Sequence, residues 1–233
     1  MKHQLIALFV TLLLASSSPS FGQGKQALFN GTDLKGWWGN PKLWSVKDGA
    51  IQGQTTAEDP IKGNTFLIYT NAPVSDFELS FSYKIIGGNS GVQYRSKVVN
   101  SNNWVVGGYQ GDFEAGTRYS GILYDEAGVA GGRGIMAERG EKVTWDSSCK
   151  KQVTGSVGKS DQIQAKINRE GWNEYVITAK GNHFVHKING LTTVDVTDDC
   201  ESKRLKSGVL ALQLHAGPPM TVQFKDLHLK PLK

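Results

Sequence analysis

From Trp44 to Leu229 the chain returns again and again to one pattern: a short run of alternating apolar and polar residues closed by Gly, Asn, Asp or Pro. Nowhere does it carry the repeat of a long helix. Successive side chains on a strand point to opposite faces, so a chain written this way makes sheets whose apolar faces must cover one another. The runs fall at 44–46, 50–53, 65–69, 77–86, 91–96, 173–180, 184–188, 191–196, 208–215 and 221–229. Asp48-Gly49 and Asn189-Gly190 each suit a two-residue hairpin turn that demands positive φ at both positions. Many short strands without helical spacers predict an all-β fold, a jelly-roll β-sandwich of two antiparallel sheets. Between Ser101 and Val157 the pattern loosens into Gly-rich and charged sequence with Tyr109, Tyr119, Tyr124 and Trp145. That stretch reads as long loops, functional or mobile.

The N-terminal segment is of another kind. Met1, Lys2 and His3 precede an apolar run from Leu5 to Ala15, then small and polar residues to Ser20, Phe21 and Gly22, the order of a secretory leader. The expectation is a signal peptide over 1–22 and a single domain over 23–233, beginning at Gln23 and exported to the periplasm or the medium. The apolar run is shorter than the about 20 residues a bilayer span requires, so no membrane anchor is expected in the mature chain. The formal charge is +5, with Lys and Arg scattered. A nucleic-acid surface needs a basic stripe with interleaved aromatics, and none is present. The two cysteines, Cys149 and Cys200, lie in polar, loop-like sequence. An oxidising compartment favours a Cys149–Cys200 disulfide; two free thiols are the alternative, because sequence carries no distance.

Four stretches in order carry a family resemblance. They are Leu28-Phe29-Asn30-Gly31-Thr32-Asp33-Leu34-Lys35-Gly36-Trp37; Gly88-Asn89-Ser90-Gly91-Val92-Gln93-Tyr94-Arg95-Ser96; Trp172-Asn173-Glu174-Tyr175 with Ile188-Asn189-Gly190; and Leu212-Gln213-Leu214-His215-Ala216-Gly217-Pro218-Pro219. Together they resemble the 3-keto-disaccharide hydrolase family over nearly the whole mature chain. The resemblance implies a concanavalin-like jelly roll, one sheet of which binds sugar on its curved face, and a carbohydrate partner. Many relatives carry Tyr-Glu-x-Gln where Tyr109-Gln110-Gly111-Asp112 stands here. A role of that Glu does not transfer to Gln110, but residues two apart on a strand share a face, so Asp112 supplies a carboxylate on the same side.

Period two then sorts the side chains. Leu210, Leu212 and Leu214 form the core face, and Gln213 and His215 point the other way; Val92 and Tyr94 go inward, and Gln93 and Arg95 outward. With Gln110 and Asp112 on the same face, and Tyr109, Tyr124 and Asp125 close by, polar groups and aromatic rings converge as a sugar site requires. No paired-carboxylate run of the glucanase type is present, so a conventional glycosidase mechanism lacks its two acids. The family's substrates remove that need. A ketone at carbon 3 acidifies the proton on carbon 2, and a base that takes it lets the anomeric group leave; water then adds to the enone. Such chemistry asks for a general base, a proton donor and a group at the enolate oxygen; the candidates are His215 as base or acid, Asp112 as its charged partner or the alternate base, and Arg95 as stabiliser of the enolate oxygen. Gln93, Gln110 and Gln213 would position hydroxyls. A divalent metal on His215 and Asp112 is an alternative to Arg95. A non-catalytic carbohydrate-binding module is the second reading of the whole, and a domain that docks on other envelope proteins the third.

Overall fold

The computed structural model describes residues 24–233; the expected signal peptide and Gln23 lie outside the described residues. In chain order the strands are β1 (Gln26–Ala27), β2 (Trp37–Trp38), β3 (Trp44–Lys47), β4 (Ala50–Thr55), β5 (Thr65–Tyr69), β6 (Phe77–Ile86), β7 (Asn89–Asn100), β8 (Val105–Glu114) and β9 (Leu123–Glu126). They continue with β10 (Ile135–Ala137), β11 (Glu141–Trp145), β12 (Lys151–Ser156), the helix α1 (Ser160–Gln164), β13 (Asn173–Lys180), β14 (His183–Ile188), β15 (Leu191–Asp198), β16 (Val209–Leu214) and β17 (Met220–Pro231). Two sheets result. The ten-stranded one runs β12-β11-β15-β14-β13-β6-β17-β4-β3, with β1 added against β17, and the seven-stranded one runs β10-β9-β8-β7-β16-β5-β2. Among the described residues no helix is long and apolar enough to cross a membrane.

The core lies between the sheets and obeys the alternation. Leu79, Phe81, Tyr83 and Ile85 of β6 are buried in one cluster with Val92 and Tyr94 of β7 and Leu210, Leu212 and Leu214 of β16. Each such side chain contributes about 1.5–3 kcal/mol by leaving water. Asp48 and Gly49 have φ of 51° and 73°, and Asn189 and Gly190 have 49° and 79°, so both dipeptides form the expected hairpins. Two polar groups inside the core are firmly paired, although the Tyr83 hydroxyl is buried without a partner. His186 lies between the Tyr94 hydroxyl at 3.0 Å from Nε2 and the Tyr175 hydroxyl at 3.1 Å from Nδ1. Burial depresses its pKa to about 3. Arg133 donates to both carboxylate oxygens of Asp198 at 2.8 Å.

Two expectations need correcting. The stretch from Ser101 to Val157 is not mainly loop: it holds β8, β9, β10, β11 and β12. Gly107, Gly108 and Gly111 hide β8 because glycine disfavours strands in isolation. At Gly111 the reason for glycine is close packing, since a Cβ there would stand 3.0 Å from the Tyr175 hydroxyl beneath. The larger sheet is also not wholly antiparallel. β11 and β15 pair in parallel, Lys142 opposite Asp195 through Trp145 opposite Asp198. Just beyond the two strand ends Cys149 and Cys200 are joined in a disulfide, with Cα atoms 4.7 Å apart.

Candidate functional site

Strand β8 builds the site. Tyr109 and Phe113 face the core, so Gln110, Asp112 and Glu114 project from the outer face of the seven-stranded sheet. On β9, Tyr124 stands opposite Gln110, and Glu126 opposite Gly108. These side chains, with Asn64, Asn89 and His215, line a cleft of about 540 Å³, a size ordinary for small-molecule sites.

Behind the cleft three glutamines on adjacent strands form a fixed chain. Ser96 Oγ donates to Gln93 Oε1 at 2.6 Å, and Gln93 Nε2 donates to Gln110 Oε1 at 2.5 Å. Gln110 Nε2 in turn donates to Asp112 Oδ1 at 2.5 Å and to Gln213 Oε1 at 3.2 Å. Gln93, Gln110 and Gln213 are therefore buried supports rather than exposed hydroxyl binders, although Gln110 still lines the cleft. Gly91 makes the arrangement possible. It pairs with Asp112, and a Cβ at this position would stand 2.6 Å from Gln110 Cγ, so only glycine leaves Gln110 its path.

Asp112 is 6% exposed. Burial lifts its pKa well above the ordinary carboxylate value, and Glu126 and Glu114 add repulsion that hydrogen bonds from Gln110 and Asn89 only partly oppose. The flanking carboxylates are already engaged: Glu114 Oε1 accepts the Tyr119 N–H at 3.0 Å, and Glu126 Oε1 accepts Asn64 Nδ2 at 3.0 Å. Burial and the nearby Glu126 also raise the Tyr124 phenol, which keeps its proton as a donor. His215 Nδ1 lies 2.5 Å from the carbonyl oxygen of Ala216. A carbonyl can only accept, so Nδ1 carries a hydrogen, and the neutral ring has its lone pair on Nε2. Asn64 Oδ1 accepts the Ala216 N–H at 2.9 Å and so ties this corner to Glu126.

Three expected site residues lie elsewhere. Arg95 does not continue the alternation, because the register of β7 against β8 shifts after Tyr94 and Arg95 itself has φ of 50°. The bulge turns its side chain away from the cleft into a fully buried position, where it donates to Ser75 O at 2.5 Å, Gly181 O at 2.7 Å and Asp76 Oδ1 at 2.7 Å. Tyr109, next to Gln110, points inward and donates to Asp198 Oδ2 at 2.6 Å. Asp125, next to Tyr124, also points inward, and its carboxylate accepts the N–H groups of Ala130 at 2.7 Å and Arg133 at 2.8 Å. The structure does bring Gln110, Asp112, Tyr124 and His215 to one cleft. Asn64, Asn89, Glu114 and Glu126 were not singled out as ligand contacts; period two along β8 would have reached Glu114 from Asp112, and Asn89 lies in one of the four family stretches, but nothing in the sequence marks Asn64. Among the described residues no three His, Cys, Asp or Glu side chains converge as a metal-holding group. A metal on His215 and Asp112, the alternative to Arg95, would therefore lack a third ligand of that kind.

The sequence family described as the 3-keto-alpha-glucoside-1,2-lyase-like domain matches residues 24–230. No curated protein matches the chain. Among solved structures, a protein of Parabacteroides distasonis ATCC 8503 with a provisional glycosyl hydrolase assignment is 22% identical, covering 91% of this chain and 95% of its own, at a TM-score of 0.57. The carbohydrate-binding module CBM66 of Bacillus subtilis is 14% identical, covering 84% and 95%, at 0.53. A β-glucanase of Bacillus licheniformis is 8% identical, covering 92% and 100%, at 0.52. At these identities the likeness is one of fold.

Proposed function

The chain belongs to the family of 3-keto-alpha-glucoside-1,2-lyase-like domains, and from that premise we propose that this carbohydrate-active protein cleaves 3-keto-glycosides by elimination and rehydration. One observation carries the reading: a buried carboxyl whose pKa is raised and an imidazole whose Nδ1 is engaged by a carbonyl oxygen line the same cleft. Elimination needs one group to take a proton and another to give one, and an imidazole and a carboxyl on one cleft are the side-chain types that do so.

His215 Nε2 takes the proton from carbon 2, and the electron pair moves toward the ketone oxygen. The Tyr124 phenol and the Asn89 amide are the donors available to that oxygen in place of Arg95. Collapse of the enolate breaks the bond from carbon 1 to the leaving oxygen, which receives the proton of Asp112. Oδ1 of Asp112 accepts from Gln110, so the proton sits on Oδ2. The product is an enone with a double bond between carbons 1 and 2. Water then adds at carbon 1 and gives a proton to the Asp112 carboxylate, while carbon 2 regains one from the His215 imidazolium. Both side chains return to their starting states, and the net change is hydrolysis.

The test is release of the aglycone from a 3-keto-glucoside and from the unoxidised glucoside. Wild type is expected to cleave only the keto compound. Asp112→Asn and His215→Ala are expected to lose at least about 100-fold in kcat, the range of a lost general acid or base. Turnover of the unoxidised glucoside, or full activity in both variants, sinks the mechanism. The second reading is a binding module, favoured by a site built around three neutral glutamines; it predicts sugar binding by calorimetry without turnover. The leader-like segment at 1–22 further supports export, and the disulfide fits the oxidising compartment that export reaches. A mature N-terminus other than Gln23 in the exported protein counts against the proposed cleavage point.

A further inference from the structure

His215 stands just past the end of β16, where the strand ladder no longer fixes it. From His215 to Pro219 the chain reads His-Ala-Gly-Pro-Pro, so its last two residues have no N–H to donate. Among the described residues, no backbone–backbone hydrogen bond ties this segment to another element. A side chain does so instead. Thr65 of β5 pairs with Leu214 of β16, and the antiparallel register carried one step further sets Asn64 across from His215. From there Asn64 Oδ1 accepts the Ala216 N–H at 2.9 Å.

The Asn64 amide fits only one way round. Its Nδ2 donates to Glu126 Oε1 at 3.0 Å, where a carboxylate accepts, and its Oδ1 meets a backbone N–H, which can only donate. Glu126 thus sets which end of the amide meets the turn. In the sheet, β16, β7 and β8 lie between β5 and β9, so the bond from Asn64 to Glu126 links two sides of the cleft that both residues line. The other polar group of Ala216, its carbonyl oxygen, lies 2.5 Å from His215 Nδ1. Holding the Ala216 N–H therefore holds the residue whose oxygen orients the imidazole.

We propose that Asn64 is the positioning residue for His215: backed by Glu126, it fixes the turn at Ala216 so that the imidazole keeps its proton on Nδ1 and presents Nε2 to the cleft. The inference deepens the reaction proposed above and rests on it for its kinetic consequence. Without the amide the turn loses its tie, the Ala216 oxygen shifts, and the ring samples both tautomers, only one of which has a base at Nε2. Both ends of the amide are engaged by the protein, so the loss falls on kcat rather than on KM.

The experiment reads the tautomer directly. Isotope-labelled histidine gives distinct ring-nitrogen NMR signals for the two tautomers at a pH where the ring is neutral, and His215→Ala identifies the signals that belong to His215. Wild type is expected to carry the proton on Nδ1. Asn64→Ala and Asn64→Asp are expected to move the signals toward the mixture seen in free imidazole, the second because two carboxylates then face each other. Joining Asn64→Asp to Glu126→Gln puts a donor opposite an acceptor again and is expected to restore the wild-type signals. On the 3-keto-glucoside, either single exchange at Asn64 should lower kcat about tenfold with KM within about twofold. The paired variant should lose less than about threefold relative to Glu126→Gln alone. A wild-type proton on Nε2, unmoved signals in Asn64→Ala, or a paired variant no better than Asn64→Asp overturns the proposal. So does a raised KM with unchanged kcat, the mark of a substrate contact. If wild type does not turn over the keto compound, the reaction fails and the nitrogen signals alone decide: their loss and restoration uphold Asn64 as the residue that positions His215, and an unmoved ring overturns it.

Discussion

A carboxyl buried between two others is unfavourable to fold. Asp112 is held beside Glu114 and Glu126, and its raised pKa means that the native state keeps a proton which the unfolded chain releases at lower pH. Its contribution to stability is therefore present below the unfolded value of about 4 and is lost as pH rises through the native one. At neutral pH Asp112→Asn should raise the melting temperature, by about 2–4 °C for each kcal/mol recovered in a domain of this size. The gain should vanish as pH approaches 4. Thermal melts of both proteins from pH 4 to 8 check this, and a gain that grows toward acid contradicts it. At this scale the sequence was legible where alternation is regular: the leucines of β16 place Gln213 and His215. It was silent on Gln110 as a hub, because the space that lets it cross comes from a missing Cβ at Gly91 on the neighbouring strand.

At the level of elements, the bulge in β7 decides which residues reach the sugar face. Val92, Gln93 and Tyr94 keep the period, and one residue later Arg95 leaves it. No local signal announces a non-glycine residue at positive φ, which is why a strand read from its alternation alone carries the guanidinium to the wrong side. Strand β8 went unread for the converse reason, since its three glycines answer to packing and hide an alternation that is in fact present. The placement of Arg95 has a measurable consequence. Arg95→Met keeps much of the volume but leaves Asp76 without its partner, and removal of one member of a buried pair costs about 3–5 kcal/mol. Asp76 keeps partial access to solvent, so the lower end of that range is expected. Urea unfolding should show the loss, while kcat of the folded protein stays near that of wild type. A stable variant with lost turnover would return Arg95 to the chemistry.

For the molecule as a whole, the two-sheet architecture was legible because ten amphipathic runs and two hairpin dipeptides agree on it. The parallel pair was not, because pairing of strands some fifty residues apart leaves no trace in either strand. The buried polar cluster around His186 ties the global fold to pH. Its pKa falls to about 3 in the native state against an ordinary value of about 6.5, so the native ring stays neutral where the unfolded one charges. Stability from this group is present above about 6.5 and is lost as pH falls toward 3. Between pH 7 and pH 5 the loss is about 2 kcal/mol. Denaturant titrations at the two pH values should show it, and His186→Leu, though less stable at pH 7, should have a flatter profile across that interval. An equally steep profile in the variant would assign the acid sensitivity elsewhere.

Strand β17, which follows every other described strand, lies in the middle of the ten-stranded sheet, with β6 on one side and β4 on the other. During synthesis the two halves of that sheet are therefore made long before the strand that joins them, and while the chain is still growing they expose unpaired edges to whatever is near. Closure waits for the final dozen residues of the strand. A chain interrupted before β17 loses the centre of the sheet rather than its margin, and the sheet stays in two parts until that strand has been made.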